Sequence, residues 1–203
     1  AFFAALGDRK VALPLVVERE GRKLLADTVE ELKKGDCLAV LEHAPPQGHD
    51  SDHFQELVQQ ATVLDLEETH DAERFFRLVS GILADKTGST ADHVYDLLVQ
   101  RERDSSTVIV PGVAIPHIMV EGEGITELVV ARSRDGVAFW GADSEARIIF
   151  VIAGSRDQRK LHLRILSAIA QLFQDPSFEQ RWMDVVSGEE LRQVVLSTER
   201  RRF

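Results

Sequence analysis

The sequence predicts an α/β fold, in which a mixed sheet is flanked by helices and preceded by a small N-terminal β unit. Over residues 62–203, apolar runs rich in valine and isoleucine alternate with stretches whose apolar residues recur at helical spacing. Before residue 62 the apolar runs are short and separated by turn formers, which is typical of hairpins. The 203 residues suffice for one ample domain with a small appendage.

Composition limits the classes of function. The net charge of −10 argues against binding to a nucleic-acid backbone and favours a basic protein partner through electrostatic steering. The lone Cys37 excludes an intrachain disulfide and suits the reducing cytoplasm. No apolar run reaches the roughly 18 residues of a membrane helix. The start at Ala1 lacks an initiator methionine and a charged lead-in, so we interpret the chain as trimmed rather than as carrying a signal peptide.

The first element is the N-terminal β unit, predicted over residues 1–44. Residues 11–17 form a strand candidate that Pro14 confines to an edge or a bulge. Residues 33–36 read as a turn, and residues 37–41 as a second, buried strand.

A linker and a short helix follow over residues 45–61. Residues 44–53 have no hydrophobic period and are rich in turn formers, so they mark the best domain boundary. His43 directly before this segment, and His49 and His53 within it, lack the fixed spacing of a ligand set, and we predict neither a metal site nor a cofactor.

The predicted domain over residues 62–203 begins with a strand and two amphipathic helices. Residues 62–66 form the strand, and residues 71–85 carry apolar side chains at helical spacing. A second helix starts behind Ser89 or Thr90. Both helices are expected to cover a sheet.

Further strands and helices complete this domain. The strand candidates are residues 125–131, 137–140 and 146–153. The last of these is almost wholly apolar, which predicts a central strand. The helices are expected over residues 158–173, 178–186 and 189–198.

The segment from residue 110 to residue 117 presents one histidine. A Pro-Gly break at Pro111 and a second proline at Pro116 prevent a helix and leave His117 at the end of a strand. Neutral imidazole is a nucleophile near pH 7, because its ordinary pKa is about 6.5.

Several residues of this region together carry a resemblance to a known family. Arg101, Glu102, Thr107 and the sequence Ala-Ile-Pro-His at 114–117 resemble the active-site segment of fructose- and mannitol-type enzyme IIA domains of the bacterial phosphotransferase system. The segment that starts at His162 resembles the place of a second histidine in that family. The resemblance implies that His117 takes a phosphoryl group from the phosphocarrier protein HPr and hands it on.

The resemblance also implies roles for the other residues of the site. His117, His162 and Arg101 are the predicted catalytic residues, with Arg101 as a bidentate clamp whose guanidinium matches phosphoryl geometry. Thr107 is predicted to bind phosphate through its hydroxyl. His162 would donate from a ring nitrogen near a helix start, whose field favours an anion. Arg103 lies in the same mixed-sign run and stays an alternative to Arg101.

Two departures from the family pattern stand out. Ile118 replaces the small residue that is usual after the histidine and is expected to place a bulky side chain beside the ring. Pro111 and Gly112 stand where a glycine and a polar residue are common. Both departures argue against efficient transfer to a sugar permease.

The N-terminal unit has a resemblance of its own. The turn and strand around Gly35 and Asp36 resemble part of the C-terminal subdomain of regulators of potassium conductance, the TrkA-C type. Taken together, the resemblances imply the cytosolic regulatory region of an inner-membrane transporter, with HPr as partner and a homodimer built on the β unit. The alternatives are an enzyme IIA component that passes phosphate to enzyme IIB, or a degenerate domain that only binds.

Overall fold

The computed structural model describes residues 15–19, 22–26, 39–40, 53–68, 70–142 and 145–200. The strands in these ranges are β1 (Leu15–Arg19), β2 (Arg22–Ala26), β3 (Ala39–Val40), β4 (Thr62–Leu66), β5 (His70–Asp71), β6 (Val108–Val110), β7 (Val113–Ala114), β8 (His117–Val120), β9 (Thr126–Ala138) and β10 (Ala146–Ser155). The α-helices are α1 (His53–Gln60), α2 (Ala72–Thr87), α3 (Ala91–Asp104), α4 (Arg159–Leu172), α5 (Phe178–Asp184) and α6 (Gly188–Ser197). None of the helices in these ranges is both long enough and apolar enough to cross a membrane.

The first three strands form a small antiparallel sheet in the order β1-β2-β3. The pairing places Leu15 opposite Ala26 and Leu24 opposite Val40. The predicted turn at residues 33–36, the first part of the strand predicted at residues 11–17, and His43 and His49 lie outside the described residues.

The second sheet is mixed, with the order β4-β9-β10-β7-β6, while β5 pairs with β9 and β8 pairs with β10. The central pair, β9 and β10, is antiparallel, whereas β4 runs parallel to β9 and both β7 and β8 run parallel to β10. Helices cover both faces. The predicted α/β class and the mixed sheet flanked by helices are therefore confirmed.

Strand β9 is longer than the sequence predicted. Residues 125–131 and 137–140 were expected to be two strands, but Thr126–Ala138 is one strand of 13 residues. Its pairing with β10 shifts register between Ala146 and Ile148, and Gly136 within it has a φ of 91°. A bulge of this kind interrupts the alternation of apolar residues, so the sequence at this point has the pattern of a turn between two strands.

Two hydrophobic cores lie on the two faces of the mixed sheet. Helices α1, α4, α5 and α6 pack on one face, and helices α2 and α3 pack on the other. Of the inward positions that the helical spacing of α4 predicted, Ile165, Ala168, Ile169 and Leu172 are buried, and Leu161 is partly buried. Each face of β10 contributes to one core, since its residues from Ile148 to Ser155 are all buried.

Helix α1 belongs to this packed domain. Phe54 and Val58 are fully buried in the same core as α4 and α6. Arg192 of α6 donates from Nη1 to the carbonyl oxygens of Val58, Gln59 and Ala61, at 2.6, 2.7 and 3.1 Å. These bonds satisfy backbone acceptors that the end of a helix leaves open. A short helix over residues 54–61 was expected from the sequence and grouped with the linker, whereas in the structure this helix packs in the core of the domain.

A buried ion pair joins β4, β9 and the end of α5. Arg132 is fully buried; its Nε donates to Asp65 at 2.8 Å and its Nη1 donates to the Trp182 and Val185 carbonyl oxygens at 2.9 and 2.6 Å. The hydrogen bond with Arg132 holds the pKa of Asp65 below its ordinary value. A buried arginine requires such acceptors, because an uncompensated charge inside a protein is costly.

Candidate functional site

The site lies at the start of β8, between the end of α3 from one helix layer and the start of α4 from the other. His117 is the first residue of β8, opposite Ile152 of β10, rather than the last residue of a strand as the sequence suggested. Since neighbouring strand residues point to opposite faces, His117 and Ile118 point apart. Ile118 is 4% exposed and packs in the core under α2 and α3. The expected bulky side chain beside the ring is therefore absent from that position.

The two ring nitrogens of His117 have different partners. Nδ1 lies 2.8 Å from the carbonyl oxygen of Ile115. Nε2 lies 3.3 Å from Nε and 3.1 Å from Nη2 of Arg101. A carbonyl oxygen only accepts and a guanidinium only donates, so the proton is assigned to Nδ1 and the lone pair to Nε2. Nε2 is therefore the nucleophilic atom.

Arg101 lies in the last turn of α3, and it is held in place from the side opposite the histidine. Its Nη1 donates to the carbonyl oxygen of Ser105 at 2.9 Å, which leaves the Nε and Nη2 edge on His117. Arg103, the alternative arginine, lies elsewhere: its guanidinium carbon is 5.8 Å from the centre of the Trp140 ring. Of the two arginines, Arg101 makes the contact with His117.

The second histidine comes from the other helix layer. His162 lies in the first turns of α4, is 5% exposed, and its ring centre is 5.7 Å from that of His117. Its Nδ1 is buried without a hydrogen-bond partner among the described residues. An unpaired acceptor at Nδ1 costs less free energy than an unpaired N–H donor there. The proton is therefore assigned to Nε2. Gly154 makes room for this ring, since a Cβ there would lie 3.1 Å from Nδ1.

Both imidazoles are neutral at physiological pH. Burial lowers the pKa of His117 to about 3, with a further lowering by the charge of Arg101, while the hydrogen bond to Ile115 opposes the shift. Burial lowers the pKa of His162 to about 4, followed by the charges of Arg159 and Arg101. Nearby positive charge and removal from water both disfavour the protonated ring. The nucleophilic form of His117 is thus the resting form.

Thr107 and Glu102 form a buried pair next to the site. The hydroxyl of Thr107 donates to Glu102, and its backbone N–H lies 3.0 and 3.2 Å from the two carboxylate oxygens. Both residues are almost fully buried. The structure thus gives the Thr107 hydroxyl a partner other than the predicted phosphate. The sequence assigned Glu102 no role, because a glutamate in a mixed-sign run is usually exposed.

This arrangement suits the transfer of an anionic group. It offers a lone pair on Nε2 of a partly exposed ring, a guanidinium edge within 3.3 Å of that atom, and a second imidazole in contact. Guanidinium N–H donors bind phosphoryl oxygens as a fork. Among the residues that the structure describes, no three acidic, cysteine or histidine side chains converge as metal ligands.

Comparisons with known proteins agree with this chemistry. The family profile described as "Phosphoenolpyruvate-dependent sugar phosphotransferase system, EIIA 2" matches residues 56–198. The nitrogen regulatory protein of Escherichia coli K12 is 29% identical over 129 residues, which is 63% of this chain and 79% of that protein. The fructose-specific EIIA component of Haloferax volcanii is 28% identical over 109 residues, 51% of this chain and 68% of that protein.

Solved structures have the same fold. The nitrogen regulatory protein IIA-Ntr from Neisseria meningitidis superposes with a TM-score of 0.63 at 28% identity, covering 70% of this chain and 99% of that one. The mannitol IIA of Escherichia coli gives a TM-score of 0.54 at 19% identity over 66% and 95% of the two chains. The family match begins at residue 56, so it does not bear on the predicted TrkA-C-like resemblance of residues 1–44.

Proposed function

Because the chain belongs to the EIIA 2 family of the phosphoenolpyruvate-dependent sugar phosphotransferase system, we propose that His117 accepts a phosphoryl group from a phosphorylated carrier protein, HPr. The contacts of His117 support this function: Nδ1 lies 2.8 Å from the carbonyl oxygen of Ile115, which assigns the proton to Nδ1, and the lone pair of Nε2 lies beside Arg101. A nucleophile with a fixed orientation and adjacent cationic donors is what group transfer between proteins requires.

Transfer of the phosphoryl group to His117 makes one bond to phosphorus and breaks another. The lone pair of His117 Nε2 forms the new bond to phosphorus, the bond between phosphorus and the donor breaks, and its electron pair returns to the donor. The proton on Nδ1 stays hydrogen bonded to the Ile115 carbonyl oxygen. The positive charge that develops on the ring is thereby delocalised toward an acceptor already in place.

Arg101 and His162 support this step by binding the transferred group. The Nε and Nη2 of Arg101 already lie 3.3 and 3.1 Å from the attacking nitrogen, so a small displacement brings them to the phosphoryl oxygens. The N–H on Nε2 of His162 supplies a further, neutral donor. We assign Thr107 a supporting place behind the site, because its hydroxyl donates to Glu102.

Incubation with enzyme I, HPr and labelled phosphoenolpyruvate tests the proposal. We expect the wild-type chain to be labelled, His117→Ala to stay unlabelled, and His93→Ala, which changes an exposed histidine of α3, to be labelled like the wild type. Label that persists in His117→Ala would remove His117 from the role. A wild-type chain that binds HPr without becoming labelled would instead indicate a domain that only binds.

We propose a regulatory role for the phosphorylated domain, supported by the similarity to nitrogen regulatory proteins. In this proposal the domain works in the cytoplasm as the cytosolic part of an inner-membrane transporter, and residues 1–44 supply a TrkA-C-like unit that forms a homodimer. The alternative is a carrier that passes phosphate to enzyme IIB, and the similarity to fructose-specific EIIA and EIIABC components favours it.

The two roles differ in what the phosphorylated chain does next. The phosphorylated chain is mixed with a fructose-type enzyme IIB that carries no phosphate, and the label on each protein is followed. A carrier role predicts rapid movement of label to enzyme IIB, whereas a regulatory role predicts that label stays on His117.

A further inference from the structure

Hydrogen bonds link the C-terminal end of α3 to both nitrogens of the His117 ring. Arg101 contacts Nε2 directly. Its neighbour Glu102 reaches the other side of the ring through a chain of hydrogen bonds. We infer that Glu102 is a positioning residue, which holds His117 in its Nδ1–H tautomer through the backbones of Thr107 and Ile115.

The chain begins at a carboxylate that is out of reach of water. Glu102 is 2% exposed and Thr107 is 1% exposed. The Thr107 backbone N–H donates to both carboxylate oxygens, at 3.2 and 3.0 Å, and the hydroxyl donates to one of them. Together these bonds anchor the backbone N–H and the side chain of Thr107 against one carboxylate.

The second link passes from Thr107 to the residue before the active-site proline. The carbonyl oxygen of Thr107 accepts the backbone N–H of Ile115 at 2.9 Å. The carbonyl oxygen of Ile115 in turn lies 2.8 Å from His117 Nδ1. At each step the N–H and the C=O belong to one residue, so the orientation set at Glu102 passes to the imidazole.

This control matters because the ring has two neutral tautomers. If the proton moved to Nε2, it would face the N–H groups of Arg101, which can only donate. No lone pair would then be available at that nitrogen for an incoming phosphoryl group. Burial raises the pKa of Glu102, and the hydrogen bonds that Thr107 donates oppose this shift because they favour the charged carboxylate. The effect on transfer rests on the proposed function, whereas the effect on the tautomer does not.

The test compares substitutions at Glu102 with a matched control. Glu102→Ala removes the acceptor, and Glu102→Gln keeps the shape but replaces one oxygen by a donor that cannot accept from Thr107. The control is Asp104→Asn, which changes an exposed carboxylate on the same helix end that contacts Gln100. Histidine tautomers are read from the ¹⁵N shifts of labelled rings, without any phosphoryl donor.

We expect the wild type and Asp104→Asn to carry the His117 proton on Nδ1, and both Glu102 variants to show a mixture of tautomers. The phosphorylation rate at saturating phospho-HPr should fall about 10- to 100-fold in the Glu102 variants, with little change in the KM for phospho-HPr. A purely structural role would instead leave the tautomer of the folded chain unchanged.

A second pair of variants guards against misfolding at Glu102. Thr107→Val removes the hydroxyl and keeps the backbone N–H, whereas Thr107→Ser retains both. We expect Thr107→Ser to match the wild type and Thr107→Val to shift the tautomer in the same direction as Glu102→Gln. A wild-type tautomer and rate in folded Glu102→Gln and Thr107→Val would overturn the inference. A wild type that never accepts phosphate would refute only the proposed function, since the tautomer readout remains.

Discussion

The tautomer of His117, the residue proposed to accept the phosphoryl group, is set by two neighbours, each with one possible hydrogen-bonding role. The carbonyl oxygen of Ile115 can only accept, so Nδ1 of His117 keeps the proton. The guanidinium of Arg101 can only donate, so Nε2 keeps the lone pair. Burial and the charge of Arg101 lower the pKa of His117 to about 3, which keeps the ring neutral. Geometry and electrostatics therefore favour the same nucleophilic state.

The role of Arg101 is tested by Arg101→Lys. Lysine keeps the charge but loses the two-donor edge that lies on His117, so we expect the phosphorylation rate to fall by about 10- to 100-fold. The matched control is Arg103→Lys, two residues away and over Trp140, for which we expect a wild-type rate. An equal loss in both variants would contradict the assignment of the clamp to Arg101.

The lowered pKa of His117 also predicts how stability depends on pH. Unfolding returns the pKa from about 3 toward its ordinary value near 6.5, so the unfolded chain binds the proton first as pH falls. The stabilisation from the neutral ring is complete above about pH 6.5 and is lost as pH falls toward 3.

Denaturant unfolding between pH 7 and pH 4 measures this effect. We expect the unfolding free energy of the wild type to fall more steeply than that of His117→Gln, which has no proton to take up at this position. His162, whose pKa is about 4, acts in the same direction in both proteins. Parallel curves for wild type and variant would show that the folded pKa of His117 is ordinary.

At the scale of the elements, the site depends on close contact between β10 and α4. Gly154 lies in β10 directly against the His162 ring, and an added Cβ would lie 3.1 Å from Nδ1. Gly154→Ala should displace that ring, lower the unfolding free energy by about 1–3 kcal/mol, and reduce phosphorylation about 10-fold. The measurements are denaturant unfolding and the rate of labelling.

The matched control for this change is Gly81→Ala in α2. No atom lies within 4 Å of a Cβ added there, and an interior helix position favours alanine by about 0.5–1 kcal/mol. We expect an equal or higher stability and an unchanged labelling rate. Wild-type phosphorylation in Gly154→Ala would mean that the position of His162 does not matter for transfer.

The sequence predicted most elements because each has a local signal. Thr90 accepts from the N–H of His93 at the start of α3, as its place before the helical spacing suggested. Strand β9 was predicted as two strands, because the bulge near Gly136 interrupts the alternation of apolar and polar residues within it. Arg132 could not be predicted to be buried, because its acceptors on Asp65 and Trp182 come from distant parts of the chain.

The candidate site was predictable to a similar extent. The motif residues Arg101, His117 and His162 were named from the sequence, and the structure brings them into contact. The buried contact between Thr107 and Glu102 was not foreseen, because only the folded path of the chain after α3 places the Thr107 N–H against that carboxylate. Backbone carbonyls such as that of Ile115 leave no trace in the sequence at all.

At the scale of the whole molecule, the boundary of the packed domain decides which piece functions alone. The structure includes α1 in the core, whereas the sequence placed the domain start at residue 62. Residues 53–203 should therefore fold and be phosphorylated like the full chain. Residues 62–203 lack Phe54 and Val58, which are fully buried, and leave Arg192 without its carbonyl partners. We expect a loss of about 3 kcal/mol or more of unfolding free energy in this shorter piece.

Denaturant unfolding of the two pieces tests the boundary, and the mass in solution of residues 53–203 beside that of the full chain tests the proposed homodimer. Equal stability would show that α1 is not part of the folding unit. If residues 53–203 keep the same oligomeric state as the full chain, the N-terminal unit is not the dimerisation element.

The proposed function requires that the chain accept a phosphoryl group on one particular atom, Nε2 of His117. The most direct measurement is ¹⁵N and ³¹P NMR of the ¹⁵N-labelled full chain after phosphorylation by enzyme I and HPr, kept at alkaline pH. We predict a single phosphohistidine with phosphorus coupled to Nε2 of His117, and Nδ1 still facing Ile115. Coupling to Nδ1, phosphate on any other residue, or a chain that stays unphosphorylated would contradict it.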